Sequence, residues 1–234
     1  MAFFEVDFGT LRSSVIGGIV GAGNLRGVRP TPSAENRKER LHFLVRKEMG
    51  KIIYTVLASA DGYFEDANGN FDWAMPNEDI HKYINNSEKM NSLLLFGRKM
   101  YDVMKIWENF PDLQNMPDYI IEYASIWKIA KKVVYSSSLK TLETSNTILK
   151  RTIDKNELEE IKILENGSIG IGGAELASQI LSLKLIDEIH LFTFPVIIGS
   201  GEKWISANEK IELEKYECRD FENGVILTKY KVKY

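Results

Sequence analysis

Cysteine is almost absent from this sequence. Cys218 stands alone, which excludes an internal disulfide and a zinc site built from cysteines. Histidine is nearly as scarce: His42, His81 and His190 lie far apart with no metal-ligand spacing, so no metal is expected. Long hydrophobic runs are missing too. The longest weakly apolar piece, residues 15–23, is too short and too rich in glycine to span a bilayer. Glu5 and Asp7 precede it, where a signal peptide would carry basic residues, so a reducing, cytoplasmic setting and no membrane partner are expected. Nor is there an excess of positive charge. The net charge is −3, and no global basic field points to nucleic acid. What is present is 44% apolar and 11% aromatic residues in a chain of 234, enough core for one large domain or two small ones.

Arginine is unevenly shared. Residues 1–48 hold six arginines and two lysines against five acids, whereas residues 49–234 hold three arginines and nineteen lysines against twenty-eight acids. Folding does not demand such a switch. Met49-Gly50-Lys51-Ile52-Ile53 reads as a natural start that leads straight into a strand, so residues 1–48 are expected to be an appended, flexible extension. Within them Gly18-Ile19-Val20-Gly21-Ala22-Gly23 imitates part of a dinucleotide fingerprint. Arg26, Arg29, Pro30 and Pro32 follow where a helix is required, so the run is read as a flexible segment. Residues 37–48 are compatible with a short charged helix carrying Leu41, Leu44 and Val45.

From Lys51 the pattern alternates. A buried strand is predicted over 51–57, a long polar loop over 58–76, and a helix capped by Asn77 running to about residue 91. A second strand over 92–96 passes through Gly97 into a helix from about Lys99. A helix over 120–130 and a strand over 132–135 follow, and Asp154 with Glu157 forms a capping pair for a helix to 164. Residues 168–171 read as a strand that breaks at Gly172-Gly173 and opens a helix from Ala174 to about Leu183. A strand over 188–196 and a hairpin around Glu222-Asn223-Gly224 complete the chain. His190 is read as a satisfied core residue and Cys218 as structural. Strand–helix alternation implies one α/β domain over 49–234: three layers, with a mostly parallel central sheet, helices on both faces and antiparallel C-terminal strands.

Four pieces then stand in a fixed order: Ser59-Ala60-Asp61-Gly62; Asp72-Trp73-Ala74-Met75-Pro76-Asn77-Glu78-Asp79; Leu95-Phe96-Gly97-Arg98-Lys99; and Gly172-Gly173 followed by Phe194-Pro195-Val196-Ile197-Ile198-Gly199-Ser200-Gly201. With this order, residues 49–234 resemble the dihydrofolate reductase superfamily. That group includes the reductase domain at the C-terminal end of the bifunctional riboflavin-biosynthesis deaminase-reductases. The zinc deaminase of those proteins, with its Pro-Cys-x-x-Cys motif, has no counterpart here.

The resemblance implies NADPH as cofactor. Gly97-Arg98-Lys99 and Gly172-Gly173-Ala174, with Glu175 beside them, would hold the pyrophosphate. Arg98 would meet the 2′-phosphate with its planar fork, and Ser136 and Ser137 would flank the adenine-ribose phosphate. The other reading of Arg98 is a surface residue in a first helical turn, where a cation opposes the helix dipole unless an anion is bound. Met100 departs from the pattern, standing where these reductases usually carry a hydroxyl. On the substrate side the resemblance places Trp73, Pro76, Gly199 and Gly201. Glu78, Asp79 and Asp61 are its candidates for the acid that supports protonation of a ring nitrogen. Each has a plainer reading, since Glu78 and Asp79 suit a helix start and Asp61-Gly62 suits a turn.

The implied activity is hydride transfer from NADPH to a small pterin- or pyrimidine-like heterocycle. Trp73-x-x-Pro76-x-Glu78 favours folate-like use, and Ser59-x-Asp61-Gly62 favours riboflavin-type use, as in 5-amino-6-(5-phosphoribosylamino)uracil reductases. The rival expectation is a non-catalytic NADPH-binding protein of the same fold. Related reductases often form homodimers, and 225–227 offers either a core or an interface position.

Overall fold

The structure is a computed structural model that describes residues 49–234; the expectations placed on residues 1–48, including the glycine run and the charged helix, lie outside the described residues. In chain order the elements begin β1 (Ile52–Ser59), β2 (Tyr63–Asp66), α1 (Glu78–Glu88), β3 (Asn91–Gly97) and α2 (Arg98–Met104). Next come α3 (Asp118–Ile129), β4 (Lys132–Tyr135), β5 (Thr147–Lys150), α4 (Lys155–Leu164), β6 (Ser168–Gly172) and α5 (Ala174–Ser182). The last four are β7 (Glu188–Phe194), β8 (Gly201–Lys203), β9 (Glu212–Asp220) and β10 (Ile226–Lys233).

Eight strands form one sheet in the order β5-β4-β3-β6-β1-β7-β10-β9. The six strands from β5 to β7 run parallel, and β10 and β9 add antiparallel strands at one edge. This is the mostly parallel α/β architecture expected from the alternation. Its helices lie on both faces, because a parallel sheet needs apolar cover on each side.

One face is filled. Ile52, Tyr54 and Val56 of β1, Ile169 and Ile171 of β6, and Leu93 and Leu95 of β3 pack against Leu158 and Ile161 of α4 and Leu176, Ala177, Ile180 and Leu181 of α5. The opposite face carries two smaller clusters. Ile80 of α1 packs on Phe192, Phe194 and Leu227, and Tyr101 and Trp127 pack on Leu94, Phe96 and Val134. Beneath Trp127 lies a buried lysine, Lys132, whose ammonium donates to the carbonyls of Trp127 (2.6 Å) and Ala130 (2.7 Å) at the end of α3.

Local chemistry explains the helix boundaries. Asn77 Oδ1 accepts from Ile80 N (3.0 Å) and starts α1, and Asp154 Oδ1 accepts from Glu157 N (2.8 Å) and starts α4. α1 stops at Glu88, before the expected residue 91, because Asn91 is taken into the ladder opposite Ser168. The expected loop over 58–76 holds β2, which pairs with β8 as a separate two-stranded ribbon. Gly201, at φ +151, makes that pairing possible, since a Cβ there would run into the Glu65 carbonyl oxygen. β5 is a further strand that the sequence reading omits.

His190 is buried and satisfied by Glu188 and Tyr216, as expected. Cys218 differs: its position on β9 is exposed, on an edge strand that nothing among the described residues covers. Val225 and Leu227 are fully buried, whereas Ile226 between them is exposed.

Candidate functional site

The ladder register sets the site. Phe96 of β3 stands beside Gly172 of β6, Gly97 beside Tyr135 of β4, and Tyr135 beside Lys150 of β5. The residues that follow these strand ends therefore emerge side by side: Gly173, Arg98, Ser136 and Arg151. They lie beyond the carboxyl ends of four adjacent parallel strands, where open α/β sheets bind ligands.

They surround a cavity of about 560 Å³. Gly97, Arg98, Lys99, Ser136, Ser137, Gly173, Ala174 and Glu175 all line it. Of the residues expected at the cofactor, only Gly172 does not. Gly173 has φ +106, and a Cβ there would come within 3.2 Å of Met100 Cβ, so a side chain is disfavoured twice over at this turn. No side chain caps the start of α5. Ser136 works inward: its Oγ accepts from Leu139 N (3.0 Å) and Ser138 N (3.3 Å), which folds the loop and leaves Ser137 and Ser138 exposed.

Arg151 is a lining residue that the sequence reading missed. It anchors the same loop by donating from Nη1 to Leu139 O (2.6 Å) and Ser136 O (3.1 Å). Its signal was available, as one of only three arginines in 49–234, directly after a strand. Arg98 pairs with Asp102 (3.2 Å) and Lys99 with Glu202 (3.3 Å), both across exposed surface. Glu65 and Glu202 add negative charge from the ribbon, and burial, followed by repulsion from Glu202, raises the Glu65 carboxyl above its ordinary range. The Tyr135 hydroxyl is buried in this wall with no hydrogen-bond partner among the described residues.

A second cavity, of about 460 Å³, adjoins the first and shares Phe64, Phe71, Met100 and Gly173 with it. It lies on the sheet face where β6 presents Gly170 and Gly172. A Cβ on Gly172 would overlap Phe96, and one on Gly170 would come within 2.8 Å of Leu94 Cδ2 and Asn91 Nδ2. Its other walls are largely aromatic and aliphatic, with Trp107, Phe110, Tyr119, Tyr123, Ile84 and Met104 among them. Pro76 lines it. His81 lines it too, ringed by Trp107, Tyr119 and Tyr123. Asn85 Nδ2 donates to Tyr119 O and Glu122 Oε2, so Asn85 Oδ1 is left to accept from His81 Nδ1 (3.0 Å). Burial depresses the His81 pKa, which keeps the ring neutral with its proton on Nδ1 and a lone pair on Nε2.

The remaining expected residues sit elsewhere. Glu78 and Asp79 are exposed on the outer side of α1, and Glu78 pairs with Lys82 (2.6 Å). The cause is helical phase: Ile80 is fully buried, so the cavity-facing positions are His81, Ile84 and Glu88. Asp61 lines neither cavity. Its carboxylate accepts from Gly199 N (2.7 Å) and Ile198 N (3.3 Å), tying two loops together. A Ser59 hydrogen bond, then those from Gly199 and Ile198, hold it below the usual carboxylate range. Trp73 packs edge-on against Phe194 at 6.2 Å, outside both cavities. Gly199 and Gly201 also lie off both walls. The carboxyl that does reach the apolar cavity is Glu88, in the last turn of α1.

Comparison with known proteins identifies the family. Residues 50–227 match the model of the RibD C-terminal domain. The chain belongs to the RibD C-terminal domain family. It is 29% identical over 190 residues to the uncharacterized protein YyaP of Bacillus subtilis (strain 168), across 77% of this chain and 94% of that one. In fold it is similar to a putative riboflavin biosynthesis protein from Shewanella sp. PV-4, with TM-score 0.64, 17% identity, and coverage of 79% of this chain and 99% of that chain. It is also similar to a diaminohydroxyphosphoribosylaminopyrimidine deaminase/5-amino-6-(5-phosphoribosylamino)uracil reductase from Thermotoga maritima, with TM-score 0.56 and 15% identity over 84% of this chain and 61% of that chain. Among the described residues no helix is long and apolar enough to cross a membrane, and no cluster of side chains is suited to a metal ion.

Proposed function

We propose that this member of the RibD C-terminal domain family is an NADPH-dependent reductase of a small nitrogen heterocycle. The phosphate-bearing part of the cofactor is assigned to the 560 Å³ cavity and the heterocycle to the apolar one. One observation carries the reading: residues from three separate turns, chosen from the sequence, line one cavity that opens across Gly173 and Met100 into an aromatic pocket.

The residues fit the cofactor. Gly173 lets main chain approach closely, the start of α5, which no side chain caps, offers N–H groups to an anion, and the Tyr135 hydroxyl, without a partner among the described residues, can donate to an acceptor. Arg98, Lys99 and Arg151 supply the positive charge, and Ser136 holds the loop that presents Ser137 and Ser138. When bound, NADPH supplies a hydride, and the organic chemistry is the cofactor's own. The chain contributes orientation and a dry pocket, with Phe64 and Phe71 excluding water where the two cavities meet.

Family membership supports a riboflavin-type pyrimidine over a folate as the acceptor. The test is loss of absorbance at 340 nm when NADPH and protein are mixed with pyrimidine and pterin substrates. Turnover of a pyrimidine supports the reading. A second reading, a non-catalytic NADPH-binding protein, is favoured by the outward placement of Glu78, Asp79 and Asp61. NADPH binding without oxidation by any heterocycle would select it.

A further inference from the structure

The apolar cavity has one carboxyl in its wall, Glu88, that belongs to no ion pair among the described residues. Glu88 sits at the cavity's inner end, remote from the shared wall at Gly173, because α1 ends beside the start of β3. Among the described residues one donor reaches it, Asn91 Nδ2, at 3.1 Å from Oε2. Asn91 is itself oriented: its Oδ1 accepts from Ser168 Oγ (2.6 Å), which turns its amide nitrogen toward Glu88. Gly170 leaves the room in which Asn91 lies, since a Cβ there would press on Asn91 Nδ2. Three neighbouring strand positions thus aim one carboxyl, whose second oxygen meets no donor among the described residues.

A half-buried carboxyl in the same wall as Tyr123, Ile84 and Leu94 is costly unless a donor meets it. Burial raises its pKa to about 6, against the opposing effect of Asn91. Among the described residues no cation pairs with it: Lys89, the next residue, turns to Glu122. The ring of His81 is already spoken for at Nδ1 by Asn85. A flat ligand against the glycine face of β6, among Trp107, Tyr119 and Tyr123, would bring its own edge to Glu88.

We propose that the inner end of this cavity is a recognition site for a planar nitrogen heterocycle that carries adjacent N–H donors, with Glu88 as their acceptor and Asn91 as the residue that positions it. The proposal rests on the assignment of the apolar cavity to the heterocycle and names the class of ring it takes. It moves the recognising carboxyl from the start of α1, where the sequence motif put it, to the end of the same helix.

The experiment uses the full chain without NADPH, with Trp107 in the cavity wall as the fluorescent reporter. The probes are 2,4-diaminopyrimidine and 2,4-dimethoxypyrimidine, which are similar in shape and differ in donors. Wild type should bind the diamino compound about ten-fold or more tighter, as expected for a charge-assisted hydrogen bond in an apolar pocket. Glu88→Gln should bring the two affinities to within about two-fold. Equal affinities in wild type, or binding of neither probe, would overturn the proposal without any variant. Retention of the preference by Glu88→Gln would overturn it as well. A separate NADPH titration of the same samples shows whether the cofactor assignment stands or falls independently.

Discussion

Along β6, Ile169 and Ile171 enter one face of the sheet while Gly170 and Gly172 occupy the other, and the two faces differ accordingly. On the isoleucine face α4 and α5 close directly over the strands in a continuous core. On the glycine face Leu94, Phe96 and Met100 crowd toward the missing side chains, and α1 and α3 stand off to leave a cavity of about 460 Å³. A five-residue strand therefore contributes both the packing that holds the domain and the floor of the pocket. Binding space is created by omission on one face, and its cohesion is supplied by the other.

This comparison can be broken from either side. The largest expected effect on stability is on the filled face: Ile169→Ala should cost about 2–5 kcal/mol in denaturant unfolding. It should leave NADPH affinity near the wild-type value in the folded protein. On the open face, Gly172→Val should cost less, about 1–3 kcal/mol from overpacking against Phe96. It should nonetheless abolish binding in the apolar cavity, read by Trp107 fluorescence. If Gly172→Val bound heterocycles normally, the glycine face would not be the pocket floor.

Lys132 gives a pH test of the packing behind that face. Burial lowers its pKa to about 8, below the ordinary lysine value of about 10.4 expected in the unfolded chain. The folded state releases this proton first, so the group's contribution to stability is complete above the unfolded value and is lost as pH falls through about 8. Wild type should therefore gain on the order of 2 kcal/mol relative to Lys132→Met between pH 8 and pH 10. Unfolding curves that stay parallel over this range would contradict the burial of a titrating ammonium. The smallest effect is expected at the start of α1. Glu78→Gln and Asp79→Asn, on the outer side of the helix, should change turnover less than about two-fold, within the ±0.5 kcal/mol typical of surface sites. A large loss would mean that α1 rotates when ligand binds.

The sequence made the alternation of strands and helices readable, because the apolar runs 52–59, 91–97 and 168–172 are bounded by caps and glycines with clear chemistry. It also made the convergence of Gly97-Arg98, Ser136 and Gly173 readable, since each follows a strand in a parallel sheet. Three things were not readable. β2 and β8 are four and three residues long, too short for a period to register. The direction of Glu78 and Asp79 depends on helical phase, which Ile80 sets by burial and which a motif match ignores. Glu88 escaped because a lone acid in a last helical turn looks like surface. Its spacing of seven from His81 and four from Ile84 was the available signal, and the Ile-Gly-Ile-Gly alternation of β6 was the signal for the pocket floor. Asp61 was readable as an important loop residue, but as a tie between loops at Gly199 it shows how a motif position can be structural.

The central claim is that the polar cavity around Gly173 takes NADPH, and a titration of NADPH fluorescence against protein tests it most directly. Wild type should show saturable binding. Gly173→Val, which places a side chain at φ +106 against Met100, should show none while keeping the wild-type circular dichroism spectrum. Absence of saturable NADPH binding by the wild-type protein would contradict the account.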